Sequence, residues 1–159
     1  MSLENARAHL EKFGAKDRIR EFTVSSATVA LAAEAIGCEP AHIAKSLTFH
    51  VNGEPVMVVA AGDVKVDNAK FKAFFGVKAK MLSPDEVEAQ IGHAVGGVCP
   101  FGVKEGVKIY LDKSLDRFTT VYPAAGSSNS CVKLTVDELF TYSGALARID
   151  VCKLPEAAK

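Results

Sequence analysis

The apolar residues of this chain change their period several times, and each change marks an element. In residues 2–13, Leu3, Ala6, Leu10 and Phe13 recur at three- and four-residue steps, one helix face, and Gly14 stops the helix. Residues 19–24 alternate loosely, Phe22 and Val24 against Glu21 and Thr23, and predict a strand. Ser25 or Ser26 then caps a second helix, with Val29, Ala32, Ala33 and Ile36 as its buried face and Gly37 as its end. Pro40 opens a further short turn. A hairpin follows: residues 46–51, the type I′ pair Asn52-Gly53, and a return strand over residues 55–61. Residues 56–61 are apolar throughout, so this strand is predicted to be central and covered on both faces.

The second half repeats this punctuation with shorter pieces. Asp67 caps a helix that runs to about residue 75 and stops at Gly76, and residues 78–82 read as a short strand. Ser83-Pro84-Asp85-Glu86 is a capping box with proline at the first helical position, and its helix ends near Gly92. Strands are predicted at residues 108–111, 119–122 and 131–134. Thr135-Val136-Asp137-Glu138 is a second capping box, whose helix ends near Gly144, and residues 147–151 make a last strand. The expected fold is α+β, a single mixed and largely antiparallel sheet flanked by helices. Residues 1–152 form one domain on this reading, and 153–159 a polar tail.

Composition narrows the setting. The chain has 159 residues, 48% of them hydrophobic, enough for one real core. No apolar run approaches the roughly 20 residues of a membrane span. The polar N-terminus lacks the apolar region of a secretion signal. Cys38, Cys99, Cys131 and Cys152 stand far apart without a C-x-x-C pair, which argues against zinc and against a disulfide framework. A reduced, cytoplasmic protein without metal or cofactor is expected. Net charge is zero, and no helix-turn-helix is visible, so DNA is a poor partner. Lys65, Lys70, Lys72, Lys78 and Lys80, with Asp67 as the one acid among them, give a local balance of +4. This run is either a solvated helix face or a patch for phosphates.

Candidate chemistry centres on residues 94–102, Ala-Val-Gly-Gly-Val-Cys-Pro-Phe-Gly. Gly96, Gly97, Pro100 and Gly102 let the backbone approach a ligand and aim N–H groups at an oxygen. No G-x-S-x-G is present, and His9, His42, His50 and His93 fall in no triad or metal pattern. Cys99 lies inside the loop, but no base accompanies it in sequence, and a structural thiol is the preferred reading. Lys45 stands where a helical turn meets a core strand, either as a solvated lysine or as a cation at the mouth of a cleft. A second small-residue loop, Ala-Ala-Gly-Ser-Ser-Asn-Ser, fills residues 124–130.

Lys45 with its apolar strand, the Gly96-x-x-x-Pro100 loop and the Ala125-Gly126-Ser127 loop together resemble the YbaK family. These are free-standing relatives of the editing domain of bacterial prolyl-tRNA synthetases. The resemblance runs nearly end to end. It implies a mixed α and β domain that hydrolyses the ester of a small amino acid mischarged on tRNA, tRNA-Pro or similar. It implies a catalytic set of Lys45, Gly96, Gly97 and Pro100, the lysine placing the terminal nucleotide and the loop donating backbone N–H groups. Ser46, Val98, Cys99, Gly126, Ser127, Ser128 and Asn129 would contact substrate, and Lys65, Lys70, Lys72, Lys78 and Lys80 would contact tRNA. Partners would be aminoacyl-tRNA and a synthetase such as prolyl-tRNA synthetase. Subgroups remove cysteine, alanine, serine, threonine or similar residues, and the resemblance leaves the amino acid open. The chemistry agrees: an activated ester needs orientation and oxyanion stabilisation more than a strong nucleophile. The alternative is a non-catalytic module that holds a nucleotide or a synthetase in the same cleft. The hydrolase reading requires Lys45, the Gly96 to Pro100 loop and Gly126 to converge on one cleft.

Overall fold

Asn52 and Gly53 both take positive φ, 52° and 80°, and turn the chain back on itself as a I′ hairpin requires. That hairpin is the centre of a computed structural model that describes residues 2–155. The helices are α1 (Ser2–Glu11), α2 (Val29–Ile36), α3 (Asn68–Phe75), α4 (Pro84–Ile91) and α5 (Val136–Ser143). The strands are β1 (Ile19–Glu21), β2 (Ile43–Val51), β3 (Glu54–Ala61), β4 (Lys65–Val66), β5 (Lys108–Asp112), β6 (Thr120–Pro123), β7 (Ser130–Val132), β8 (Leu134–Thr135), β9 (Arg148–Ile149) and β10 (Cys152–Lys153). Among the described residues no helix is long and apolar enough to cross a membrane.

The main sheet has six strands in the order β8-β6-β2-β3-β5-β9. The β2–β3 hairpin pairs without interruption from Ala44↔Ala61 to Val51↔Glu54. β2–β6, β3–β5 and β5–β9 are parallel, whereas β6–β8 is antiparallel. The sheet is therefore mixed, with most of its antiparallel pairing concentrated in one long hairpin. Two small antiparallel ribbons, β1–β7 and β4–β10, close its flanks.

Burial follows the predicted pattern. Met57, Val58, Val59, Ala60 and Ala61 are fully buried, because β3 has a strand on each side and apolar cover on both faces. Phe49 from β2 meets Phe71 from α3 at 4.7 Å between ring centres, and Phe71 meets Phe75 at 4.5 Å. Each such ring contributes roughly 1.5–3 kcal/mol by leaving water. A smaller cluster forms where Ala32 and Ala33 of α2 cover Ile43, with Val29, Ile36 and Tyr122 beside it.

Both capping boxes are present, Ser83 with Glu86 and Thr135 with Glu138, and α3 is capped by Asp67. Other local expectations yield to tertiary partners. The cap of α2 is Thr28, whose hydroxyl accepts from the Leu31 N–H; Ser25 and Ser26 turn instead to the Ser128 carbonyl. Residues 78–82 make no strand. They share one bridge with β2, Phe49↔Met81, before Ser83 starts α4. The strand expected over 131–134 divides at Lys133, its first part pairing with β1 and its second with β6. The strand expected over 147–151 shrinks to β9, which pairs with β5, and β10 begins just beyond it and pairs with β4. Lys153, placed in the polar tail on sequence, pairs with Lys65, and Leu154 packs against the core. Residues 156–159 of that tail lie outside the described residues.

Candidate active site

Alternation along β2 puts Ala44, Ser46 and Thr48 on one face, and that face is the floor of a cavity of about 360 Å³. Helix α2 and the segment before it bring Ala27, Val29 and Ala32, and α4 brings Pro84 and Val87. Val95, Gly96 and Val98 of the glycine-rich loop close a further side, and Tyr122 and Cys131 arrive from β6 and β7. Met81 and Val95 are more than half exposed at the rim. The lining is mostly apolar, and the volume sits at the low end of the ~300–1,000 Å³ usual for ligand sites. Among the described residues Ser46 Oγ is shielded from solvent and has no hydrogen-bond partner. An unpaired hydroxyl in such a wall is a ready anchor for a polar group of a ligand.

Lys45 also borders the cavity, and it lies within β2 rather than at its start. Its ammonium donates to the carbonyls of Gly62 and Val64 on the turn after β3. That seat is tightly made. A Cβ on Gly62 would stand 2.1 Å from the Pro40 carbonyl oxygen, so only glycine fits there. Asp63 between the two carbonyls is gripped by both Arg117 nitrogens at 3.1 and 2.6 Å. The Arg117 hydrogen bonds hold the Asp63 carboxyl below its ordinary range. Burial lowers the Lys45 ammonium from its ordinary value, partly offset by Cys152 and Asp63. Two of its three donors are taken, which leaves one to face a ligand.

The two small-residue loops do meet, but not as two substrate-binding walls. A Cβ on Gly97 would stand 2.8 Å from Gly126 C and from Ser127 N and Cα, so Gly97 is the contact between the loops. The Gly97 N–H returns to the Ala94 carbonyl at 3.0 Å. Gly126, Ser127, Ser128 and Asn129 lie behind the cavity rather than on its wall. Ser127 Oγ lies 2.9 Å from Asn129 Oδ1 and 2.6 Å from Ser130 Oγ. Asn129 pairs with Phe22 through side chain and carbonyl, and Ser128 accepts from the Ser26 N–H at 2.7 Å. These polar groups hold residues 22–26 against the loop.

Pro100 and Cys99 are buried beneath the loop and do not line the cavity. Burial pushes the Cys99 thiol up to about 12, far from a nucleophilic thiolate. The lysine run divides as well. Lys72 and Lys78 line one surface recess beside α3, whereas Lys70 pairs with Asp150 at 3.0 Å on another side. Lys65 and Lys80 are exposed. The structure thus brings Lys45, Ser46, Gly96 and Val98 to one cavity and puts Gly97, Cys99, Pro100 and residues 126–129 in its support.

The model of the family described as aminoacyl-tRNA editing domain matches residues 23–142. The chain belongs to this family. The YwhH protein of Bacillus subtilis, uncharacterised, is 51% identical over 154 residues, 96% of this chain and 98% of that protein. EbsC of Enterococcus faecalis, provisionally assigned as a Cys-tRNA(Pro)/Cys-tRNA(Cys) deacylase, is 29% identical over 120 residues, 74% of this chain and 73% of that protein. Among solved structures, one of a provisionally assigned trans-editing enzyme for prolyl tRNA synthetase aligns with a TM-score of 0.86 at 29% identity. It covers 96% of this chain and 97% of that one.

The editing-domain match contains the cavity floor, Lys45, the glycine-rich loop and the loop behind it, and excludes α1 and β9–β10. Sequence reasoning missed Thr28, Val87, Tyr122 and Cys131, which reach the cavity from separate elements. Thr48 could have been found, because it follows Ser46 by two residues on the same strand face.

Proposed function

We propose that this editing domain is an aminoacyl-tRNA deacylase that removes a small amino acid mischarged on tRNA, with tRNA-Pro as the carrier. The observation that carries the reading is the convergence of Lys45, Ser46 and Gly96 on one small, mostly apolar cavity with an unpaired buried hydroxyl. The aminoacyl group enters the cavity, where its side chain meets Ala44, Val87 and Val98 and its polar atoms meet Ser46 Oγ. The free donor of Lys45 faces the terminal nucleotide outside. The Gly96 and Val98 N–H groups face the oxygen on which charge develops.

Water attacks the ester carbonyl carbon, and the bond to the ribose oxygen breaks. The water's proton passes to that leaving oxygen, so the products are a free amino acid and an intact tRNA end. A site of this kind accelerates the reaction by holding the ester in line and by stabilising the oxyanion. Lys72 and Lys78 contact the tRNA backbone, while Lys70 stays with Asp150.

The test is deacylation of tRNA-Pro carrying Ala, Cys, Ser or Thr, by wild type and Lys45→Ala. Wild type is expected to release at least one of these, and Lys45→Ala to lose about 100-fold or more, the order typical of removing one oxyanion-stabilising or positioning group. A folded wild type that releases none of them overturns the reading and leaves the cavity as a binding site only.

A further inference from the structure

The glycine-rich loop ends in a peptide held at both of its polar atoms. His93 Nε2 lies 2.7 Å from the Phe101 carbonyl oxygen. The Gly102 N–H donates to His9 Nδ1 at 3.0 Å. These two groups belong to the same peptide unit, the one that joins Phe101 to Gly102, and they point in opposite directions. His9 comes from α1, and His93 from the residue that follows the C-cap of α4.

The partners fix both tautomers. A carbonyl only accepts, so His93 carries a proton on Nε2, and its Nδ1 is buried with no partner among the described residues. His9 accepts at Nδ1, so its proton sits on Nε2, 2.6 Å from the Tyr142 carbonyl. Both rings therefore carry a proton on Nε2, and His9 Nδ1 is the acceptor that holds Gly102. Burial independently lowers the pKa of His93. The Cys99 thiol also donates to the Phe101 carbonyl, at 3.5 Å, and sits 3.6 Å from His93 Nε2. Val98, one residue earlier, is on the cavity wall.

We infer that His9 and His93 are positioning residues that clamp the Phe101–Gly102 peptide plane and so set the loop wall against the bound ester. Neither side chain lines the cavity. They act through the backbone, and they specify its orientation, since a flipped peptide would lose both hydrogen bonds together. Amide side chains can stand in for one ring nitrogen at a time. The amide of asparagine reaches the place of Nδ1, and that of glutamine the place of Nε2. His9→Asn therefore keeps the acceptor for Gly102, and His9→Gln loses it. His93→Gln keeps the donor to Phe101, and His93→Asn loses it.

The experiment measures amide hydrogen exchange over residues 96–102 and, in parallel, deacylation kcat and KM with mischarged tRNA-Pro for the four variants. In His9→Asn and His93→Gln, loop exchange and kcat are expected to stay within about threefold of wild type. In His9→Gln and His93→Asn, exchange should rise and kcat fall by about tenfold, with KM nearly constant, the effect of one lost hydrogen bond. His9 is only partly buried, so its two variants decide the matter should His93→Asn not fold. Equal exchange at Gly102 in His9→Asn and His9→Gln overturns the clamp. The kinetic arm rests on the deacylase reading and the exchange arm does not. A wild type without deacylation that still shows the exchange pattern sinks that reading and keeps the clamp.

Discussion

Two walls of the same cavity are built on opposite principles. The floor of Ala44, Ser46 and Thr48 belongs to β2, which is hydrogen-bonded along its length to β3. Its side chains point where they do because a strand alternates, and the ladder fixes them without help from any one residue. The loop wall of Val95, Gly96 and Val98 has no ladder. It is held by a missing Cβ at Gly97, one turn bond to Ala94, and the peptide clamp at its end. A wall made from a sheet spreads its support over many bonds, and a wall made from a loop concentrates it in a few. Substitutions in the floor's frame should therefore unfold the protein. Substitutions in the loop's supports should leave it folded and impair the site.

The largest effect is expected for Val58→Asp. Val58 is fully buried in β3, and a carboxylate there has no partner. The loss should exceed about 4 kcal/mol and abolish the cooperative melt. A cooperative melt near that of wild type would show that β3 is not the frame of the floor.

Gly97→Ala should have a smaller effect on stability and a sharper one on the site. Its methyl would press on the backbone of Gly126 and Ser127, and backbone cannot move aside as a flexible side chain does. A loss of about 1–3 kcal/mol is expected, the range for overpacking. Deacylation should drop by a larger factor than the same loss of stability produces at a surface site. Equal activity and melting would mean the loop wall is as tolerant as the strand floor.

The smallest effect concerns α4, the third side of the cavity. Glu86 is held down to about 2 by the Ser83 backbone N–H, with further help from His50, whose ring nitrogen lies 2.8 Å away. A depressed carboxylate stabilises the fold above its unfolded value and loses that contribution as pH falls through its folded value. The window is therefore from about 4.5 down to about 2. Glu86→Gln keeps an acceptor for Ser83 and removes the charge, so its melting temperature should vary less with pH across this window. An unchanged acid profile would show that Glu86 does not secure α4.

The same contrast separates what the sequence revealed from what it hid. The hairpin turn, the glycine stops and both capping boxes were legible because each is decided by residues within one or two turns of each other. The α2 cap was misread because Ser25 and Ser26 are claimed by a carbonyl about 100 residues away, at Ser128. The lysine run could be counted but not divided, since Asp150, which takes Lys70, arrives from the far end of the chain. Lys45, Ser46, Gly96 and Val98 were picked out together because family resemblance carries spatial information that periodicity lacks. His9 and His93 bond to backbone atoms, and a backbone partner leaves no signature in sequence.

Helix α1 lies outside residues 23–142, the span that the family model matches, yet it presses on the loop. A Cβ at Gly102 would meet the Asn5 carbonyl oxygen at 2.5 Å. A protein trimmed to residues 23–142 would keep the hairpin, Lys45 and the whole glycine-rich segment, and would lose the ceiling over its last peptide along with the β10 partner of β4. Its loop would keep its residues and lose its backing, because the span that the family model matches and the unit that braces the loop have different ends.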